Sequence, residues 1–531
     1  MSSEAPIPRA TLPRAFTRAI GWCVALACLA YLVRLHDTPI AIGGDEAFFA
    51  NHGYAIATTG RDLNGRLLPL AIQLDPDTDP ALWYQAMLVY LEAAAFTVLP
   101  FAEWSARLPV ALLAIANVAG IAIVAARYGA AGPAALIAAL VLATSPIHFF
   151  LSRQALDYLC PIVFVLAWLF VLAGLHERPR PRSAFACGVI LGAGLFSYVS
   201  SWLMMPVYLL CTVALCLTRT DRLRLSVAAV AGFALPAAAL LLWLQAHPEA
   251  WVSVVNRYAG AGVKDLPGLN MNTYYRIVDL VAAYWSSFNP AQLFLIGSPN
   301  PTIGVRTAGV FVAPVAVLLA AGLWSLRPRA LDVILVAGLL SSPLGPVLYG
   351  TPGAIQRQLV ILPFVAIISA RGAQFLWTSP SRLARIAATL AVIASPLLFA
   401  YVVYDTFEDR ESYVLRFDPS NFRELTPALA ALNRQTDAPQ VVLALGPYDR
   451  RAYWRFHTQK LGDEALRDKA LFWEPGSFRA AAVQANSLIV AIAPSPLAEQ
   501  LDRVCRRVAQ FRSEEQVVVW RADADGCPGG R

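Results

Sequence analysis

Three acidic side chains stand where an otherwise oily chain has little use for them. The stretch IGGDEAFFANHGYAIATTG, residues 42–60, sets Asp45 and Glu46 side by side directly after the first long apolar run. A later stretch, TSPIHFFLSRQALDYLCPIVF, places Asp157 between two further apolar runs. A carboxylate at a membrane boundary can orient or deprotonate a hydroxyl, and two together can hold a divalent cation. Structural roles compete with that chemistry. After Gly43 and Gly44, Asp45 is placed to cap a helix running to Gly60, and Glu46 suits the dipole of that helix. Spacings of four and seven put Asp45, Phe49 and His52 near one helix face. Arg153 precedes Asp157 by four residues and could simply neutralise it.

The elements that must position these groups are set by composition. The chain has 531 residues, 57% hydrophobic and 15% charged, with a mean hydropathy of +0.54. A soluble protein of this length carries about 25% charged residues. The shortfall predicts an integral membrane protein. The net charge of +7 lies in small clusters between apolar runs. That distribution speaks against a nucleic-acid partner and reads instead as topology.

Runs long enough to cross a bilayer begin near residues 17, 107, 132, 159, 184, 202, 225, 307, 330, 358 and 383. They predict about 11 transmembrane helices in an all-α polytopic bundle. The first run lacks a cleavage pattern and reads as a retained span. Arginines before the first run (Arg9, Arg14, Arg18) and after the second (Arg127), fourth (Arg178, Arg180, Arg182) and sixth (Arg219, Arg222, Arg224) fall on one side. Arg327 and Arg329 after the eighth, and Arg382 and Arg385 after the tenth, join them. The positive-inside rule makes that side cytoplasmic. The expected location is a bacterial inner membrane, with the N-terminus inside and the C-terminus periplasmic.

Residues 37–106, 247–306 and the tail then lie outside. Within the first loop, DPALWYQAMLVYLEAAAFTVLPF is expected to be an interfacial helix, since a crossing there would reverse every later arginine cluster. The tail alternates short β-branched runs (PQVVLALG, SLIVAIAP, EQVVVWRA) with helical spacing in NFRELTPALAALNRQ and PLAEQLDRVCRRVAQ. It predicts a small α/β domain over 404–531, following a membrane module over 1–403. Six of the eight cysteines sit in apolar runs as small hydrophobes. Cys505 and Cys527 lie in the polar tail and are expected to form a disulfide outside.

The succession GGDEAFFA, DPALWYQAM, EWSARLPVALLA, ARYG, LVLATSPIHFFLSRQALD and GLFSYVSSWLMMPVYLL resembles polyprenyl-phosphate-sugar-dependent glycosyltransferases of the GT-C fold. The likeness is to bacterial aminoarabinose transferases of lipid A and the protein O-mannosyltransferase-like family, over roughly residues 15–400. It implies that Asp45 and Asp157 are catalytic acidic residues of the first two outer loops. It also implies a lipid-phosphate sugar as donor, used at the outer face. Those transferases resemble KPPLYYW where this chain has DPALWYQ, so Asp79 replaces a lysine expected at the donor phosphate. Arg61, Arg66, Arg153 or Arg357, the last in GAIQRQLVILP, must then supply the cation.

The chemistry suits these residue types. A carboxylate such as Asp45 would activate an acceptor hydroxyl, and arginine would stabilise the departing phosphate in a water-poor site. Direct displacement would invert the anomeric centre. Glu46, His52 and Tyr198 are further substrate-binding candidates. Tyr198 and Trp202 equally suit interfacial anchoring, and Arg357 equally suits snorkelling. Tyr274, Tyr275 and His247 lie in the long outer loop, where lids occur. No cofactor is expected beyond a divalent cation as an option, and no metal cage is legible. The acceptor is a hydroxyl or phosphate of a lipid, a glycan or a protein. The rival functions are a flippase of polyprenyl-linked sugars, which would show paired repeats and charges at mid-membrane, and an inactive scaffold displaying the tail.

Overall fold

The computed structural model describes residues 14–75, 79–130, 132–258, 271–298, 300, 302–305, 307–349, 351, 353–409, 417–445, 450–474, 476, 483–511 and 516–522. In chain order the elements begin with α1 Arg14–Leu32, α2 Gly44–Thr59, the strands β1 Ala71–Asp75 and β2 Asp79–Gln85, and α3 Met87–Phe96. Next come α4 Glu103–Arg127, α5 Pro133–Ala143, α6 Pro146–Ser152, α7 Cys160–Glu177, α8 Pro181–Gly194, α9 Ser201–Leu217 and α10 Arg222–Ala246. Then follow α11 Pro248–Tyr258, α12 Met271–Ser286, α13 Val315–Ser325, α14 Ala330–Ser341, α15 Leu344–Leu348, α16 Ile361–Trp377 and α17 Arg382–Glu408.

The chain divides into two compact units. The first comprises the chain to Val33, Asn64–Leu91 and Arg107–Thr406; the second comprises Arg34–Leu63, Glu92–Ala106 and the chain from Phe407. The tail part of the second unit begins at Phe407, close to the boundary read from the sequence after residue 403. Arg34–Leu63 and Glu92–Ala106 belong to the same unit as the tail.

In the first unit, proline sets many of the helix starts. Pro133, Pro146, Pro161 and Pro181 each occupy the first turn of a helix, where the missing N–H costs nothing. Pro146 also keeps Ser145 extended (φ −73°, ψ 116°), so α5 and α6 meet at a bend of 58°. Each of the eleven apolar runs contains a helix, but they differ in reach. Five segments are individually long and apolar enough to span a bilayer, and the bent α5–α6 pair makes a sixth. α1, α9, α13 and α16 are shorter apolar helices, and α8 has 14 residues. By length and composition five or six segments among the described residues qualify as crossings, and the expected count of about 11 is not confirmed. α10 and α17 leave much of their apolar surface uncovered, including Leu235, Leu241, Leu242, Leu390, Ile393 and Leu397. Such surfaces suit lipid, and the chain is a membrane protein.

Helices in this unit approach closely through glycine. A Cβ on Gly372 of α16 would strike the Leu318 carbonyl of α13, and one on Gly322 would strike the Ile368 carbonyl in return. Gly188 and Gly232 are related in the same way between α8 and α10. Without a hydrophobic drive between helices in lipid, such close backbone packing supplies much of the association.

The expected interfacial helix over residues 79–101 is only half helical. Residues 79–85 form β2, antiparallel to β1 with Ile72 opposite Tyr84 and Gln73 opposite Trp83. Pro80 and a short run of aromatic and β-forming residues favour the strand, and the helix begins only at Met87.

In the second unit, a five-stranded sheet has the order β4-β3-β5-β7-β6, with β3 Val441–Ala444, β4 Ala470–Phe472, β5 Leu488–Ala493, β6 Arg506–Phe511 and β7 Gln516–Arg521. β3 is parallel to β4 and β5, while β7 is antiparallel to β5 and β6. β3 is buried throughout, as its unbroken VVLA run requires. Val442, Ile489, Leu501, Val518 and Trp520 centre the core, and the Trp520 indole N–H reaches Asp502 at 2.9 Å. Helical spacing holds for Phe422–Thr436. It fails beyond Val504, where Arg506–Phe511 is an edge strand rather than a continued helix. Cys505 consequently lies at the helix end, not within it. It is disulfide-bonded, and Cys527, its expected partner, lies outside the described residues.

Replacing Gly372 by valine should cost about 1–3 kcal/mol or more through overpacking. The melting temperature of the detergent-purified protein should fall clearly, and an unchanged value would deny that this contact is close.

Candidate functional site

In the first unit, the segment carrying Asp157 is fixed by the arginine that precedes it. Arg153 follows the last residue of α6 and is fully buried. Its Nη1 donates to the carbonyls of Ala30 (2.9 Å) and Tyr31 (3.1 Å), and its Nη2 donates to Val33 (2.6 Å). These are the terminal carbonyls of α1, which have no partner within their own helix. Arg153 is thereby committed to a structural cap, which weakens its candidacy for phosphate. Tyr31 holds the same end of α1 to the bend: its hydroxyl donates to the Ala143 carbonyl at 3.0 Å and lies 2.9 Å from His148 Nδ1. Asp157 then opens a 3-10 turn, Asp157–Leu159, that leads into α7. Its carboxylate is fully buried.

Contacts run from that turn to Arg357. The Tyr158 ring meets the Tyr198 ring edge-on at 5.4 Å. One residue on, the Val199 carbonyl accepts the Tyr349 hydroxyl at 2.9 Å. The Arg357 guanidinium lies 5.8 Å from the Tyr349 ring. Gly345 sits where a Cβ would be 3.0 Å from the Arg357 carbonyl and 3.4 Å from Ser200 Oγ. Asp157, Tyr198 and Arg357, nominated separately from sequence, are thus linked by a relay of contacts through Tyr158, Val199 and Tyr349. Tyr349 and Ser200 were not nominated; a tyrosine and a serine in apolar surroundings carry no pattern that marks them.

Other nominees fall elsewhere. Arg66 donates to Gln73 Oε1 at 2.9 Å and stacks over Trp83 at 4.8 Å, which ties it to the β1–β2 hairpin. Trp202 donates to the Leu195 carbonyl at 3.0 Å and stacks on Trp251. His247 stacks on Trp243, while Tyr274 and Tyr275 are exposed on α12.

The second unit holds α2. Its N-cap is Gly43, and Asp45 lies in the first turn, so Asp45 is not the cap expected from sequence. Glu46 is the residue that reaches back: its Oε2 accepts the Gly43 N–H at 2.8 Å. The helix closes at Gly60 in the left-handed region (φ 72°), as a glycine allows. Asp45 is half-buried in the first turn of α2. His52 is buried and its Nδ1 accepts the Leu63 N–H at 3.4 Å. Arg61 is exposed.

Glu92, on α3, is a further buried acid that sequence reading passed over. Burial, and after it the nearby Glu46 carboxylate, push its carboxyl well above the usual range. Its only signal in sequence was a lone glutamate inside the apolar stretch LVYLEAAAF. Among the described residues, no group of three or more His, Cys, Asp or Glu side chains is arranged to hold a metal ion.

Comparison with known proteins bears on this arrangement. Residues 85–244 match the family described as dolichyl-phosphate-mannose-protein mannosyltransferase. No curated protein matches the chain. Among solved structures, the chain resembles ArnT from Cupriavidus metallidurans bound to undecaprenyl phosphate, at 14% identity and a TM-score of 0.59, covering 95% of this chain and 98% of that one. It also resembles the archaeal oligosaccharyltransferase AglB from Archaeoglobus fulgidus, solved with an inhibitory peptide and a dolichol-phosphate, at 11% identity and a TM-score of 0.51. That likeness covers 92% of this chain and 70% of AglB. The chain has the GT-C fold and resembles membrane glycosyltransferases of that class.

A glutamate held neutral by burial favours folding most at low pH. The ordinary glutamate value is 4.5. Stability from Glu92 should be fully present below that value and be lost as pH rises through its raised folded value, because the folded state holds the extra proton. Glu92→Gln should flatten this part of the melting-temperature profile between acidic and neutral pH. Superimposable profiles would show that Glu92 titrates normally.

Proposed function

We propose that this chain is an integral membrane glycosyltransferase that moves a sugar from a polyprenyl-phosphate carrier to an acceptor hydroxyl on the outer face of the membrane. The observation that carries the proposal is the fold likeness, nearly end to end, to an enzyme solved with undecaprenyl phosphate. Asp45 is assigned the base: it is a half-buried carboxylate in the first turn of an ordered helix. Arg357, linked to Asp157 through the contacts of Tyr158, Tyr198 and Tyr349, is assigned the role of the cation at the leaving phosphate. Asp157 serves as the second acidic residue, and Tyr198 lines the sugar beside it. Displacement by the activated hydroxyl breaks the bond between the anomeric carbon and the phosphate oxygen. It forms the new glycosidic bond with inversion, and the electron pair leaves on the phosphate. The acceptor proton goes to Asp45.

The arginine clusters support an N-terminus in the cytoplasm and a tail on the opposite side of a bacterial inner membrane. The disulfide at Cys505 supports an oxidising location for the tail.

The test is release of undecaprenyl phosphate, followed by mass spectrometry, when the purified protein meets a panel of undecaprenyl-phosphate-linked hexoses and pentoses with extracted envelope lipids and glycans as acceptors. Turnover with some member, abolished in Asp45→Asn at near-normal expression, is the expected result. Arg357→Ala should weaken donor use by roughly 1.5–3 kcal/mol through loss of one charge-assisted contact. Turnover undiminished in Asp45→Asn would remove the base, and movement of intact donor across vesicles without release would indicate a flippase.

Peptide mapping after alkylation of the non-reduced protein should recover Cys505 joined to Cys527. Free label on both would remove the argument for an oxidising compartment.

A further inference from the structure

We propose that the tail, from Phe407 onward, is a positioning element of the transfer site: it grips α2 and so sets where Asp45 stands. The inference rests on the reading of Asp45 as the base. It assigns the tail a part in the chemistry rather than a separate binding function.

Contacts at three places, just before α2 and along it, make the grip. Before its N-terminus, the Arg423 guanidinium donates to the Ile40 carbonyl. The Phe417 ring also packs on Gly43 so closely that a Cβ there would be 3.2 Å from its edge. At mid-helix, the buried Asn51 amide donates to the Ala452 carbonyl at 2.9 Å. Ala452 lies in the tail helix Arg450–Leu461. Toward the C-terminal half, Tyr54 meets Phe101 with ring centroids 4.9 Å apart, and Phe101 meets Phe456 of that same tail helix at 4.9 Å.

The tail helix is itself fastened. Lys460 Nζ lies 2.7 Å from both carboxylate oxygens of Glu103, in the first turn of α4. The Glu103 side chain is only 7% exposed, so this pair is shielded from much of the screening that weakens surface ion pairs. α2 also meets α3, where a Cβ on Gly53 would be 3.0 Å from the Glu92 side chain, and the tail contacts add to that packing at both ends and the middle of the helix. A helix that carries its reactive carboxylate in the first turn must be fixed in rotation and along its axis. The contacts at these three places supply both.

The ion pair offers the test. Lys460→Glu and Glu103→Lys each place like charges together, and the double exchange restores an opposite pair. On the member of the donor panel that supports turnover, each single change should lower kcat about 10- to 100-fold with donor KM little altered, the cost of a small displacement at a reacting group. The double exchange should recover most of it. Amide hydrogen exchange needs no substrate: residues 44–59 should exchange faster in each single variant, and β1–β2 should not, with protection regained in the double. Where a single variant fails to fold, Asn51→Ala removes the mid-helix contact alone and should show the same two effects.

Normal kcat and normal protection of α2 in folded single variants, or no recovery in the double, would overturn the grip. Asp45→Asn, measured alongside, keeps the two questions apart. If that variant still transfers sugar, the role of Asp45 fails whatever the exchange data show. If it is inactive while α2 is indifferent to the tail, only the grip fails.

Discussion

Where a helix ends near lipid, the carbonyls it releases must find donors inside the protein, and Arg153 supplies them for α1. A guanidinium has five donors in a fixed fork, and here two of its nitrogens serve three carbonyls. Loss of such a group would leave several polar atoms buried without partners, at about 1–3 kcal/mol each. The cap does more than satisfy α1. Because Arg153 directly follows α6, the same bonds hold α6, the bend at Ser145 and the turn at Asp157 against α1. Ser145 Oγ adds a bond to the Val310 carbonyl at 2.7 Å. Irregular backbone survives at membrane depth only where protein surrounds it, and this corner meets that condition.

The two units solve different problems. The helical unit exposes leucine on α10 and α17 and buries polar groups such as Arg153 and Asp157 inside. The second unit keeps polar and charged groups within a sheet-and-helix core. Asp418 illustrates its character: burial raises its carboxyl to about 7, even though it accepts the Arg423 N–H at 3.2 Å. Lodging α2 in that unit gives the helix that carries Asp45 a packed surround.

Much of this was legible in the chain, for stated reasons. Glycines at 43, 44 and 60 bracketed α2 to within a residue, because helix ends are set by local chemistry. Apolar runs located the helices of the first unit, and β-branched runs located β3, β5 and β7. Short segments misled. DPALWYQ reads as helix or strand with equal ease, and only its pairing with residues 71–75 decides the matter. CRRVAQ continues a helical spacing, yet it pairs with β7 instead. Asp45 looked like a cap because aspartate often is one, whereas Gly43 took the position and Glu46 the bond.

What sequence could not reveal was long-range partnership. Arg153 lies about 120 residues from the carbonyls it serves, and Asn51 lies 401 residues from Ala452. No local period encodes either. Nor does the linear order of loop, bundle and tail disclose that the loop folds with the tail. The apolar pattern governs only which faces are covered, and several segments could cover the same face. Specific polar contacts then select among them, since a buried amide or carboxylate tolerates few alternatives. In this chain those selecting contacts gather at α1 and at α2, the two helices whose ends lie beside Asp157 and Asp45. The groups that decide the fold there are therefore neighbours of the groups assigned to the chemistry, and a change in one is felt by the other.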